Sequence, residues 1–485
     1  MVDLATSRFG GEVVWCNDEF FAPVANLLNP NAPVWKEGEF TDQGKWMDGW
    51  ETRRRRQEGF DSCVLRLGLP GVIHKITVDT SYFTGNFPES FSLEACGEPT
   101  ERLAEAEWEE IIPRTALTGD AQVDFKVPDS HRVTHLRLNI FPDGGIARLR
   151  VDGEPIPEMN QVCPEGGGLV DLAVATVGGR GVAASDAHYS SPANLVSPTD
   201  PAGMWDGWET ARRRGAGHDW AVVELGLPGV IEAVDVDTRH FKGNAPGWVS
   251  LDVAQAEGDW VEACQRAAVE AHAVNRVEFT DPVEADRVRL NIHPDGGVAR
   301  LRVWGRPDPS AASAVRLRYL NCLFPQAAHS FFATACAASP WVEAMVAGRP
   351  YATAKTLLAA TEKAFDRLHE DGWRQAFAAH PPIGERGGRQ DQEGESLSSR
   401  EQAGVSTAED VVRAELADVN RRYEACFGYT YIVRAAGRTA EEMLAIARRR
   451  LDNDPATELE EAAGEQRQIT MRRLKRMLCL PEEET

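Results

Sequence analysis

Two tandem all-β domains followed by an all-α domain are the fold class these 485 residues predict. Three observations carry that expectation. A domain-length block occurs twice in the first two thirds of the chain. Within each copy, short runs alternate apolar with polar residues between Gly- and Pro-rich turns, the period of half-buried strands. After Trp304 the texture changes to Ala, Leu, Glu and Arg with helix-start signals. At roughly 150 residues per domain the length allows about three domains. With 42% hydrophobic and 26% charged residues the composition is globular, which excludes a disordered chain or a collagen-like fibre.

The repeat is explicit. Gly44–Arg56 reads GKWMDGWETRRRR and Gly203–Arg214 reads GMWDGWETARRR, with Asp48 and Asp206 158 positions apart. The same offset relates LGLPGVI at Leu67 and Leu225, and VDTSYFTGNFP at Val78 to VDTRHFKGNAP at Val236. LRLNIFPDGGIARLRV from Leu136 and VRLNIHPDGGVARLRV from Val288 lie 152 apart, so a six-residue gap separates the copies internally. A unit this long is a duplicated domain rather than a solenoid turn. Leu136–Ile140 and Ala147–Val151 alternate around Asp143-Gly144-Gly145, which predicts a hairpin with one apolar and one Arg/Asn face. Short strands with such turns suggest a sandwich or jelly roll for each copy.

Gly305 to Ser310 reads as a linker. Beyond it, Ser406-Thr407-Ala408-Glu409 and Thr439-Ala440-Glu441-Glu442 match capping boxes, and Asp454-Pro455 an N-cap with proline in the first helical position. Met443, Ala447 and Leu451 share a helical face. Gly387 to Ser399 is a polar loop. The expected boundaries are 1–160, 161–308 and 315–485.

Net charge is −23, which disfavours nucleic acid and anionic membranes as partners. No run of about 18 uncharged apolar residues predicts a membrane span. The opening MVDLATSRFGGEVVW lacks the basic and apolar regions of a signal peptide, and PEEET is not a peroxisomal tail. Nine scattered cysteines without C-x-x-C fit reduced thiols, so a cytoplasmic protein is expected.

The densest polar cluster is the duplicated Asp-Gly-Trp-Glu-Thr followed by arginines: Asp48, Glu51, Arg54 and Arg55, and Asp206, Glu209, Arg212 and Arg213. A bland reading makes these a turn, a core tryptophan and solubilising ion pairs. A functional reading makes them a site for a small anionic ureide. Guanidinium groups bind carboxylates bidentately, carboxylates accept from ureido N–H groups, and one carboxylate activates water. Asn86 and Asn244 add amide groups from the adjoining turns. These blocks, with Asn26-Leu27-Leu28, closely resemble the allantoicase family, over about residues 10–305 and in both copies. The resemblance implies two galactose-binding-like jelly rolls and hydrolysis of allantoate to ureidoglycolate and urea. On the functional reading of the residues, Asp48 and Glu51 are the catalytic candidates and the remaining cluster residues substrate contacts.

The copies differ: Lys45 and Trp46 become Gly203 and Met204, Arg53 becomes Ala211, and Phe141 becomes His293. Unequal roles or one composite site both follow. No His/Cys cluster has metal-ligand spacing, so no metal is assigned and the metal requirement of this half stays open. His218 and His240 read as lone structural histidines.

In the helical third, His380 precedes Pro381-Pro382-Ile383-Gly384, placing its imidazole at a helix end. Ser398-Ser399-Arg400-Glu401-Gln402 follows. Alone, these read as a helix cap and an exposed helical carboxylate. Together with Pro340-Trp341-Val342-Glu343-Ala344-Met345, Asn420-Arg421-Arg422-Tyr423-Glu424, Phe427-Gly428-Tyr429 and Asn453-Asp454-Pro455, they resemble the OHCU decarboxylase family over about residues 316–480. OHCU is 2-oxo-4-hydroxy-4-carboxy-5-ureidoimidazoline. The resemblance implies an all-helical, usually dimeric fold that makes (S)-allantoin and CO₂ without a cofactor. It implies His380 as acid/base with a pKa near working pH and Glu401 as the catalytic glutamate, which orients that His or binds the substrate hydroxyl. Pro381, Ser398, Gln402 and the strip Tyr431, Ile432, Val433, Arg434 and Ala435 become substrate contacts, with Arg438 a carboxylate partner.

The combined expectation is a bifunctional enzyme of ureide catabolism acting on small molecules, homo-oligomeric, with no nucleic-acid or membrane partner. The rival is that only one half is catalytic and the jelly-roll pair binds a ligand or oligomerises.

Overall fold

The computed structural model describes residues 1–97, 105–128, 131–164, 166–256, 258–381 and 410–480. The chain divides into two compact units, Met1–Cys322 and Leu323–Thr485. The first holds two all-β repeats and the second is all-α.

Each repeat is organised by one long strand, Asp61–Asp79 in the first and Asp219–Asp237 in the second. The first half of Asp61–Asp79 pairs with Arg132–Phe141 and Glu12–Cys16. Its second half pairs with Arg148–Pro155 and Gln122–Lys126. One strand thus serves two pairs of neighbours. Gly71 sits where they meet, opposite Val133 and Pro155: a Cβ there would lie 2.1 Å from the Glu154 carbonyl oxygen, so only glycine fits. Leu136, Leu138 and Ile140 are fully buried, as their alternation predicts. The second repeat reproduces this register around Val274–His293, Arg300–Pro307 and Arg180–Ala184.

The hairpin expected around Asp143-Gly144-Gly145 does not form. The strand Asp61–Asp79 lies between Arg132–Phe141 and Arg148–Pro155, and both pair with it rather than with each other. Gly145–Ile146 instead pairs with Trp50–Glu51, and Gly297–Val298 with Trp208–Glu209. The turn glycines therefore fasten the Asp-Gly-Trp-Glu-Thr block. Trp50 and Trp208 are fully buried beneath it and donate Nε1 to the Asp18 and Asp186 carbonyls, both at 2.8 Å.

The helix Pro309–Cys322 belongs to the first unit. Arg318 forms an ion pair with Glu154, Arg316 donates to the Cys163 carbonyl at 3.1 Å, and Arg132 covers the Tyr319 ring.

The second unit contains helices Pro325–Ala335, Ser339–Ala347, Ala354–Phe365, Glu370–Ala378, Asp410–Phe427, Ala440–Arg450 and Pro455–Met477. A run of rings fills its core: Trp341 stacks on Phe365, Phe365 on Trp373, and Trp373 on Phe377. The Thr439/Glu442 capping box forms in both directions, at 3.2 and 2.8 Å. Asp454 caps Pro455–Met477 through Ala456 and Thr457. The Ser406–Glu409 box and the Gly387–Ser399 loop lie outside the described residues.

Candidate functional site

In the first repeat the short strand Trp50–Glu51 carries the polar cluster to the loop end of the sandwich. The side chains separate by role. Asp48 Oδ2 accepts from Arg148 Nη2 at 2.8 Å and from the Val34 backbone N–H at 2.9 Å. Arg148 is 1% exposed and also donates to the Asn31, Asp48 and Ala147 carbonyls. This pair locks two loops together. Asp206 and Arg300 repeat it at 2.7 Å, with Ala202 N–H as the second donor.

Glu51 is different. Its Oε1 accepts from Asn86 Nδ2 at 2.7 Å, and no other partner meets the side chain among the described residues. Burial raises its pKa above the usual glutamate value, and the Asn86 bond partly opposes that. Glu209 and Asn244 form the matching bond at 2.5 Å.

The arginines also divide. Arg55 pairs with buried Asp61 at 2.5 Å, and its backbone N–H donates to Asp143 at 2.8 Å. Arg213 does the same with Asp219 and Asp295. Arg54 and Arg212 are exposed and have no hydrogen bond or ion pair among the described residues, which leaves their guanidinium groups open to an anion. Sequence reasoning missed Asp61, Asp143 and Arg148 with their partners Asp219, Asp295 and Arg300. The signal was present, because each recurs at the repeat offset.

In the helical unit, His380 ends the Glu370–Ala378 segment with its N–H on the Phe377 carbonyl. Burial first, then Arg473, push its pKa down to about 3, with Gln466 partly opposing. The resting imidazole is therefore neutral and its pKa lies well below working pH, because a cation faces it in a desolvated place. Arg473, Gln466 and Thr470 lie on Pro455–Met477, and Gln466 Nε2 donates to Thr470 Oγ1 at 3.2 Å. No local motif announced them.

The strip Tyr431–Ala435 is held at three points. Asn420 Oδ1 accepts from Tyr431 N–H at 2.9 Å, Arg450 Nη1 donates to the Ile432 carbonyl at 2.8 Å, and Glu465 accepts from Arg434 N–H at 2.5 Å. Val433 is buried within it. Arg438 forms a forked pair with Glu465 at 3.0 and 3.1 Å. Pro381 directly follows His380; Ser398, Glu401 and Gln402 lie outside the described residues. Among the described residues, no group of three or more His, Cys, Asp or Glu side chains is placed to hold a metal ion. No described helix is long and apolar enough to cross a membrane.

The allantoicase repeat model matches residues 2–156 and 170–308. The chain is 47% identical over 326 residues to a probable allantoicase of Pseudomonas aeruginosa (strain UCBPP-PA14), spanning 63% of this chain and 96% of that protein. It belongs to the allantoicase family. A probable allantoicase of Photobacterium profundum is 44% identical over the same share of each chain. The crystal structure of allantoicase from Saccharomyces cerevisiae matches at 34% identity with a TM-score of 0.52, covering 63% of this chain and 92% of that one. The OHCU decarboxylase model matches residues 321–475. Allantoicase repeats joined to an OHCU decarboxylase domain make the chain a bifunctional enzyme of ureide catabolism, a hydrolase and a carboxy-lyase in one polypeptide.

Proposed function

We propose that the carboxamide-tethered glutamates, Glu51 with Asn86 and Glu209 with Asn244, are the water-activating bases of the allantoicase repeats. Hydrolysis of allantoate releases urea intact, so the water oxygen must end on the central carbon that bears both ureido groups. A carboxylate removes a water proton, the new C–O bond forms, and the C–N bond to one ureido group breaks with its pair leaving on nitrogen. Glu51 suits the task because one oxygen is fixed by Asn86, the other has no partner among the described residues, and burial makes it more basic than a free glutamate. Exposed Arg54 and Arg212 meet the substrate carboxylate. Asp48 and Asp206 act through Arg148 and Arg300 by fixing the loops. The carrying observation is the Glu51–Asn86 contact, repeated by Glu209–Asn244. Urea release from allantoate by the full chain tests it: Glu51→Gln/Glu209→Gln is expected to abolish it, and an unchanged rate removes both residues from the mechanism.

In the decarboxylase domain, neutral His380 waits beside Arg473. The OHCU carboxylate brings a negative charge to this pair, so substrate binding raises the His380 pKa and readies it to handle the proton that replaces CO₂. Glu401 as the catalytic glutamate, with Ser398, Gln402, Pro381 and the Tyr431–Ala435 strip as substrate contacts, completes this reading, with no cofactor. Arg438, already paired with Glu465, orients the strip. His380→Ala is expected to abolish accelerated OHCU decay while urea release survives; loss of both would contradict separate sites. A cytoplasmic homo-oligomer fits nine free thiols and the usual habit of the decarboxylase family.

A further inference from the structure

The two allantoicase repeats part company beside the tethered glutamate. In the first, Phe60 packs on Phe141 with centroids 4.9 Å apart. Arg114 covers Phe141 at 4.2 Å and donates Nε to Ser90 Oγ at 2.9 Å. The counterparts in the second repeat are His218, His293, Arg266 and Trp248. The two imidazole rings lie 4.5 Å apart, so His218 is not a lone histidine. His293 is 7% exposed, with Nε2 3.1 Å from Ser250 Oγ and Nδ1 buried without a hydrogen-bond partner among the described residues. Burial, then Arg266 and His218, push its pKa down to about 4. Asn291 Oδ1, behind it on the strand, also has no partner among the described residues, whereas the equivalent Asn139 Oδ1 accepts from Ser62 at 2.8 Å. The first repeat closes this rim with hydrocarbon; the second leaves unmet hydrogen-bonding capacity there.

The chain ties this pair to the base. His293 opens the turn that ends at Gly297, and Gly297 is the strand partner of Glu209. Four peptide steps span at most about 14 Å. His218 precedes Asp219, the carboxylate that holds Arg213.

We propose that His218, held in place by buried His293, donates the proton to the departing urea nitrogen in the second repeat, which makes that repeat the faster of two unequal sites. The inference rests on the reading of Glu209 as base. Glu209 takes one proton from water, oxygen bonds to the central carbon, and the C–N pair leaves on nitrogen. A ring N–H of His218 supplies the proton that makes neutral urea, and the Glu209 proton returns to the imidazole through solvent. His218 is half-buried and reachable; His293 is a positioning residue.

The test uses the full chain with allantoate. His218→Phe/His293→Phe copies the ring pair that the first repeat already packs, so folding is expected to survive. The expected result is a fall in kcat of about tenfold or more with KM nearly unchanged. In His218→Ala, added imidazole is expected to restore urea release. A wild-type rate in the double variant, or a loss in His218→Ala that imidazole does not restore, overturns the proposal. Glu51→Gln/Glu209→Gln separates the two readings. If it abolishes activity while the histidine variants keep theirs, only this inference fails; if it keeps activity, the reading beneath it fails.

Discussion

Arg450 donates to the carbonyl oxygen of Ile432 at 2.8 Å, deep in the helical unit. Arg450 is fully buried, and so is Glu458, which pairs with it and also accepts from Tyr423. Asn453 Nδ2 reaches the second Glu458 oxygen at 2.8 Å. Tyr423, Asn453 and Glu458 thus gather around the arginine that holds one backbone carbonyl of the strip assigned to the substrate. The ion pair satisfies its own charges and uses a remaining donor to hold that strip.

Removing one partner leaves the other stranded. Arg450→Met leaves Glu458 charged and uncompensated, and a loss of about 3–5 kcal/mol is expected. Chemical denaturation of the full chain should show an early transition in the helical unit, and OHCU decay should no longer be accelerated. Unchanged decarboxylation in a folded variant would separate Ile432 from the site.

Asp48 and Glu51 should fail differently. Asp48→Ala strips the carboxylate from Arg148, which is 1% exposed, and is expected to cost about 3–5 kcal/mol and lower Tm. Glu51→Gln keeps the shape and the Asn86 contact, so Tm should hold while urea release, read in a Glu209→Gln background, falls. Equal Tm losses in the two variants would make Glu51 structural as well.

The same glutamate sets a pH dependence. A base works only when ionised, so the rate of the first repeat should fall as pH drops through a Glu51 pKa raised by burial. Asn86 favours the ionised form. Asn86→Ala should therefore move the acid limb to higher pH, measured in a Glu209→Gln background so that one repeat is read at a time. A shift to lower pH would contradict the assignment.

The residues explain how much of this was legible beforehand. The duplication, the strand alternation at Leu136–Ile140 and the capping box at Thr439 are local patterns and form as read. The predicted hairpin failed because local alternation cannot tell that a third strand, Asp61–Asp79, will insert between two neighbours in sequence. Asp48 and Glu51 sit three residues apart with similar chemistry. Only the fold reveals that one is consumed by Arg148 while the other keeps an oxygen without a partner among the described residues. The low His380 pKa was likewise hidden, since Arg473 comes from a helix far along the chain.

That displaced pKa gives a stability prediction whose sign is fixed. In the unfolded chain His380 titrates near 6.5, whereas in the folded state its pKa is about 3. Between these values the unfolded state binds a proton that the folded state refuses, so stability from this residue is complete above about 6.5 and is lost as pH falls toward about 3. His380→Gln should flatten that part of the stability curve. Arg473→Gln should raise the folded pKa and narrow the window from below, because it removes a cation opposing imidazolium. NMR of the His380 ring should find it neutral at pH 5 in the free enzyme, and a carboxylate-bearing product analogue should shift its titration upward. An imidazole already charged at pH 5 without ligand would leave substrate binding nothing to switch.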